Sequence, residues 1–128
     1  MATELHFLVW SVALTFAQML MAVSGATLDV GLPELAGNRE PAPEVKGWAG
    51  RARRAHFNML ESLVLFAALV LTAVVAQKTN GTTALGAELF FWARLVYAFV
   101  YVAGIPWVRT AIWGVSVIGL VMIFSQLV

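Results

Sequence analysis

Arg51, Arg54, Asn58 and Glu61 follow one another at intervals of three, four and three residues, the spacing that lines side chains along one face of a helix. Arg94, Tyr97 and Tyr101 repeat that pattern, and Arg109 follows three residues after Pro106 with Thr110 beside it. Guanidinium groups bind carboxylates and stabilise anions, amide and phenol groups orient a ligand by hydrogen bonds, and a cation beside a thiol favours the thiolate. Ionisable groups gathered in this way are costly at membrane depth unless paired or facing a wet cavity, so each asks for a functional reading. The chain contains no cysteine, so disulfides, thiolate metal sites and a protein thiol nucleophile are excluded. Any thiol chemistry must use a ligand's sulfur.

These residues have to be positioned by elements that live in a bilayer. Hydrophobic residues make up 61% of the 128 and charged residues 12%, more apolar surface than a water-soluble domain of this size can hide. Four apolar stretches approach the roughly 20 residues needed to cross a membrane: Leu5 to Val23, Phe57 to Ala76, Leu89 to Ile105 and Ala111 to Val128. The expectation is an all-α membrane protein, a four-transmembrane-helix antiparallel bundle with helices near 5–24, 48–77, 84–104 and 107–128. The first stretch lacks a basic leader and a small-residue cleavage site, so it reads as a retained helix in a protein that begins near Met1.

Charge is concentrated between the first two spans, in Asp29, Glu34, Arg39, Glu40, Glu44, Lys46, Arg51, Arg53 and Arg54. Pro33, Pro41 and Pro43 lie in the same loop, so irregular chain is expected before the second helix. Five of the eight basic residues fall there (Arg39, Lys46, Arg51, Arg53 and Arg54), which by the positive-inside rule makes this loop cytoplasmic and the N-terminus external. The compact loops suit a bacterial inner membrane. The net charge of +1 carries no basic stripe for nucleic acid. His56 lies off the polar stripe and His6 near the opposite face, so no metal site is expected.

Asn80-Gly81-Thr82 and Gly104-Ile105-Pro106 are turn signals, and such short connections make the last three spans antiparallel neighbours. The polar stripes then meet near the cytoplasmic face, with Arg94 at a depth similar to Glu61. Two readings of that pair stay open: an ion pair that fixes helix register, or direct contact with a ligand. Tyr97 and Tyr101 can likewise be interior aromatics or ligand contacts. Arg51, Arg53 and Arg54 can also be topology determinants that meet lipid headgroups. Ser11, Thr15 and Gln18 share a face of the first helix and read as structural interhelical hydrogen-bonding groups. Gly114 and Gly119 are expected to permit close helix packing.

The string Arg54-Ala55-His56-Phe57-Asn58-Met59-Leu60-Glu61 resembles a signature of the MAPEG family, the membrane-associated proteins in eicosanoid and glutathione metabolism. A second resemblance runs through Ala93-Arg94-Leu95-Val96-Tyr97 to Tyr101 and on through Gly104-Ile105-Pro106-Trp107-Val108-Arg109, with Gly37-Asn38-Arg39 in the loop. The likeness covers nearly the whole chain. It implies a homotrimer with glutathione between adjacent subunits near the cytoplasmic face. By position, Arg54, Asn58, Glu61, Tyr97 and Tyr101 look like glutathione contacts, Arg94 like a structural partner, and Arg109 like the arginine that stabilises the thiolate. Thr110 stands where some members have a serine proposed to assist the thiol. The sequence departs from some members at Phe57, where they carry arginine, and at Tyr97, where they carry histidine.

The expected activity is therefore that of a membrane-embedded glutathione transferase or peroxidase. Glutathione is its co-substrate, with carboxylates at Arg54 and Arg51 and sulfur near Arg109, and a lipophilic electrophile or hydroperoxide arrives through the bilayer. The family also has a scaffold-type member, so a non-catalytic lipid-binding or scaffold protein of the same fold is the alternative. A proton-coupled exporter of cationic drugs fits less well, because the arginines beside Glu61 repel such a substrate.

Overall fold

The computed structural model describes residues 1–38 and 43–128. Arg39, Glu40 and Pro41, named above in the loop, lie outside the described residues. The elements are α1 (Thr3–Val30), α2 (Leu32–Ala36), α3 (Gly47–Val75), α4 (Gly81–Ala103) and α5 (Pro106–Ser125). Four of these, α1, α3, α4 and α5, are long and apolar enough to cross a membrane. They satisfy the backbone internally, as hydrocarbon requires.

α1 outruns its apolar stretch by two turns, because Ser24 to Asp29 contains no proline and Gly25 packs closely against Trp48 and Ala49 of α3, and it ends at Gly31. The loop expected to be irregular also holds the short α2, with Pro33 in its first turn where a missing N–H costs nothing. Asp29 Oδ2 then accepts the backbone N–H of Lys46 at 3.0 Å, which places a carboxylate at the N-terminus of α3. This clasp joins the two ends of the loop.

α4 starts at Gly81, three residues before the expected helix near 84–104. The Asn80 side chain accepts from the backbone N–H of Thr82 and Thr83, and the Thr83 hydroxyl accepts from the backbone N–H of Asn80. This reciprocal capping box converts a polar turn signal into a helix start. At its other end α4 closes on Gly104 at φ 81°, a left-handed conformation that glycine adopts without strain. Only Ile105 then separates it from Pro106, the first residue of α5.

α1 packs chiefly on α3, and α4 chiefly on α5, with α4 also against α1 and α3. The α4–α5 contact depends on two glycines. A Cβ on Gly86 would lie 2.7 Å from the Gly119 carbonyl oxygen, and one on Gly119 would lie 2.6 Å from that of Gly86. Gly119 packs as expected, whereas Gly114 faces open space and carries no packing role.

The core sits toward the end that holds both termini. Phe66 and Phe90 are fully buried and stack at 4.1 Å between ring centroids, with Met59, Val70, Ala87 and Ile123 around them. Outward, α1, α3, α4 and α5 present apolar side chains such as Phe16, Val64, Phe99 and Ile118. With four spans, this surface describes an integral, multi-pass membrane protein.

Candidate functional site

Three helices deliver the polar residues of the loop end. Asn58 comes from α3, Tyr97 from α4, and Arg109 and Thr110 from the first turns of α5. Together with Trp113 they line one open cleft of about 150 Å³. The N-terminus of α5 adds its own positive end to that of the guanidinium, because its first N–H groups have no partner within the helix. An anion placed here meets both.

Aromatic rings hold the cations. The Arg109 guanidinium carbon lies 4.6 Å from the Tyr101 ring centroid, and that of Arg94 lies 4.1 Å from Tyr97. The two tyrosines meet edge to face at 5.6 Å. A ring face attracts a guanidinium without occupying its N–H donors, so Arg109 is oriented while its hydrogen-bonding capacity is kept for a ligand. The Thr110 hydroxyl donates to the Pro106 carbonyl at 3.2 Å, which fixes the side chain and leaves oxygen lone pairs free. Asn58 is half-buried and its Oδ1 has no hydrogen-bond partner among the described residues.

The pairing of Glu61 with Arg94 is not formed within the chain. Arg94 is 1% exposed, and none of its three guanidinium nitrogens has a hydrogen-bond partner among the described residues, while Glu61 faces outward from α3. The two residues are at comparable depth, but periodicity does not fix which way a long side chain turns. Arg54 is likewise exposed and outside the cleft lining. Arg51 bends the other way: its Nε donates to the Val102 carbonyl at 2.8 Å, at the C-terminal end of α4. Gln18 is buried on α1 beside Ser11 and Thr15. The Thr15 hydroxyl bonds its own helix at Ser11 O, while Gln18 Oε1 and Ser11 Oγ have no partner among the described residues, so these atoms make no interhelical bond there.

The MAPEG family model matches residues 7–128. This chain belongs to the MAPEG family. MAPEG members use glutathione and include transferases, peroxidases and non-catalytic proteins. No curated protein and no solved structure matches the chain. Within this MAPEG chain the second signature falls on α4 and the start of α5, and the first on α3, so both strings contribute residues to the one cleft.

Two residues stand outside the sequence-based set. Trp113 lines the cleft, and the signal for it was its position one turn after Arg109 on the same helix. Glu88 lies inside the expected helix near 84–104 but ahead of its apolar stretch, which begins at Leu89, and was not singled out. With α4 starting at Gly81, it is an exposed carboxylate two turns inside the helix.

Proposed function

We propose that the chain is a glutathione transferase or peroxidase that binds glutathione in the Asn58–Tyr97–Arg109–Thr110 cleft and activates it as the thiolate. The observation that carries this reading is Arg109, a cation held by the Tyr101 ring at 4.6 Å at the N-terminus of α5 and facing a cleft with no carboxylate in its lining. A fixed positive charge beside a thiol favours its ionised form, and a preorganised donor stabilises the sulfur charge without reorganisation. The thiol proton leaves to solvent as glutathione binds.

The thiolate sulfur then attacks an electrophilic carbon. A carbon–sulfur bond forms, and a leaving group departs with its electron pair, or a conjugated acceptor takes up the charge and a proton. With a hydroperoxide the sulfur attacks oxygen, releasing the alcohol and a sulfenic form of glutathione that a second glutathione converts to the disulfide. A lipophilic co-substrate reaches this cleft from the bilayer through the apolar flanks of α5. The Thr110 oxygen and the Tyr97 phenol orient the sulfur.

Arg54 and Glu61 complete the site in an assembly of three chains. Both are exposed on the single chain, and one sits on an otherwise lipid-facing helix surface where an unpaired charge is costly. A homotrimer with glutathione at the subunit boundary gives Arg54 a carboxylate and Glu61 the glutathione ammonium. Arg51 lies outside the cleft lining, with its Nε bonded to the Val102 carbonyl at 2.8 Å.

The test is the ultraviolet difference absorbance of the thiolate when glutathione is added to detergent-purified protein at neutral pH, with Arg109→Ala as control. A thiolate signal present in the parent and lost in the variant supports the reading. Saturating glutathione bound without any thiolate signal overturns the activation mechanism and favours lipid binding or presentation without catalysis.

A further inference from the structure

A second cleft opens on a different face of α4. The glutathione cleft uses the Arg94–Tyr97–Tyr101 side of that helix, whereas this one uses Leu95, Ala98, Phe99 and Val102, at about 100° per residue well around the helix. α1 supplies the facing wall from Leu14 to Met21, and Ala52 and Ala55 of α3 form the floor. Its volume is about 500 Å³, within the range of small-molecule sites. No lining residue is shared between the two clefts.

The small floor and walls make a slot, and its length is set by the helices. From Leu14 to Met21, or from Leu95 to Ala103, the walls run roughly 10–12 Å at about 1.5 Å per residue, which fits within one leaflet of a core about 30 Å thick. At the end where α4 terminates sits Arg51. Its Nε bond to Val102 anchors the side chain beside two lining residues, Val102 and Ala103, and its terminal nitrogens make no hydrogen bond to any described residue. A guanidinium fixed in this way, at headgroup level, presents its free edge to a phosphate.

Gln18 is the exception in an otherwise apolar lining. It is 8% exposed, and its Oε1 has no donor. A buried amide oxygen without a donor is costly, and a ligand hydroxyl removes that cost. The slot therefore asks for one apolar chain, a hydroxyl and an anionic phosphate in a single molecule.

We propose that this cleft binds a monoacyl glycerophospholipid from the surrounding membrane, with its acyl chain in the slot, its free glycerol hydroxyl on Gln18 Oε1 and its phosphate on Arg51. An ordinary diacyl lipid has no free hydroxyl on its acylated glycerol and has two chains to place instead of one. The site is independent of glutathione activation and survives the failure of that reading.

Native mass spectrometry of the detergent-solubilised chain tests it, with oleoyl lysophosphatidylglycerol, dioleoyl phosphatidylglycerol and monoolein as probes. The lyso lipid is expected to bind tightest. Arg51→Gln weakens it roughly tenfold and removes its advantage over monoolein, which lacks the phosphate. Gln18→Leu weakens it about fivefold and narrows its advantage over the diacyl lipid. Ala17→Phe, an exposed position on the slot wall, blocks binding with unchanged circular dichroism, and Ala98→Phe on the opposite wall repeats the block. Equal retention of all three lipids, untouched by these variants, is a non-specific annulus and overturns the proposal. Equal binding of lyso and diacyl lipid, both dependent on Arg51, overturns the single-chain and hydroxyl assignments.

Discussion

The two ends of the bundle treat polar groups in opposite ways. At the end that holds the termini, the Glu4 carboxylate is 3% exposed and accepts from the Thr83 hydroxyl at 2.7 Å, Thr83 is locked into the Asn80 cap, and the Asn80 amide donates to Gln126 at 2.9 Å. Lys78 reaches the Leu127 carbonyl at 3.4 Å. α1, α4 and the C-terminal end of α5 are thus tied together over the stacked phenylalanines. From mid-bundle toward the loop end, buried polar atoms of Arg94, His56, Asn58 and Gln18 have no partner among the described residues, and Ser11 Oγ on the other half of α1 is the exception to the contrast. A satisfied network rigidifies, whereas an unsatisfied one holds capacity that a ligand or a neighbouring chain can take up. Satisfied and unsatisfied polar groups are thus largely separated along the helix axes.

That separation can be broken from either side. Phe90→Ala removes half of the stacked pair in the closed end and should cost about 3–4 kcal/mol in reversible unfolding, with the thiolate signal per folded molecule unchanged. Loss of the signal in folded protein would show that the two ends are coupled. Arg109→Ala should lower turnover about 100-fold while glutathione affinity, read by equilibrium dialysis, changes by no more than roughly threefold, because the charge acts mainly on the reacting sulfur. Equal losses in both would reassign Arg109 to simple binding.

Smaller perturbations sharpen the same contrast. Thr83→Val keeps the shape but removes the donor to the buried Glu4 carboxylate, for an expected loss of about 2 kcal/mol and no change in turnover. Asn80→Ala deletes the cap of α4 and should lower stability by about 1 kcal/mol, visible as a shift in the thermal midpoint. If either variant reduces turnover at full occupancy of the folded state, the closed end has a catalytic role that this division does not allow.

The spans, their order and the meeting of α3, α4 and α5 at one end were legible from apolar periodicity and turn residues. So was the grouping of Asn58, Tyr97, Arg109 and Thr110, because each lies on a predicted face at a predicted end. Helix starts were less legible where a polar run caps instead of ending an element, as at Asn80 and Thr83. The lock around Glu4 joins residues 79 positions apart and leaves no local pattern. Side-chain direction was the least legible property: Arg51 and Arg54 share a stripe, yet Arg51 turns to the end of α4. Spacing reports which face a Cβ occupies, and a long side chain then chooses among neighbours that periodicity does not name.

The connection between α4 and α5 has a consequence for how such a protein can be altered. Gly104 and Ile105 alone separate the helix that carries Tyr101 from the one that carries Arg109, and the glycine contact between Gly86 and Gly119 stops either helix from sliding to absorb an error. An extra residue in this turn has no slack to enter, so it displaces the guanidinium from its ring. The length of this turn therefore constrains the site as much as side-chain identity does, and insertional engineering of the bundle belongs elsewhere.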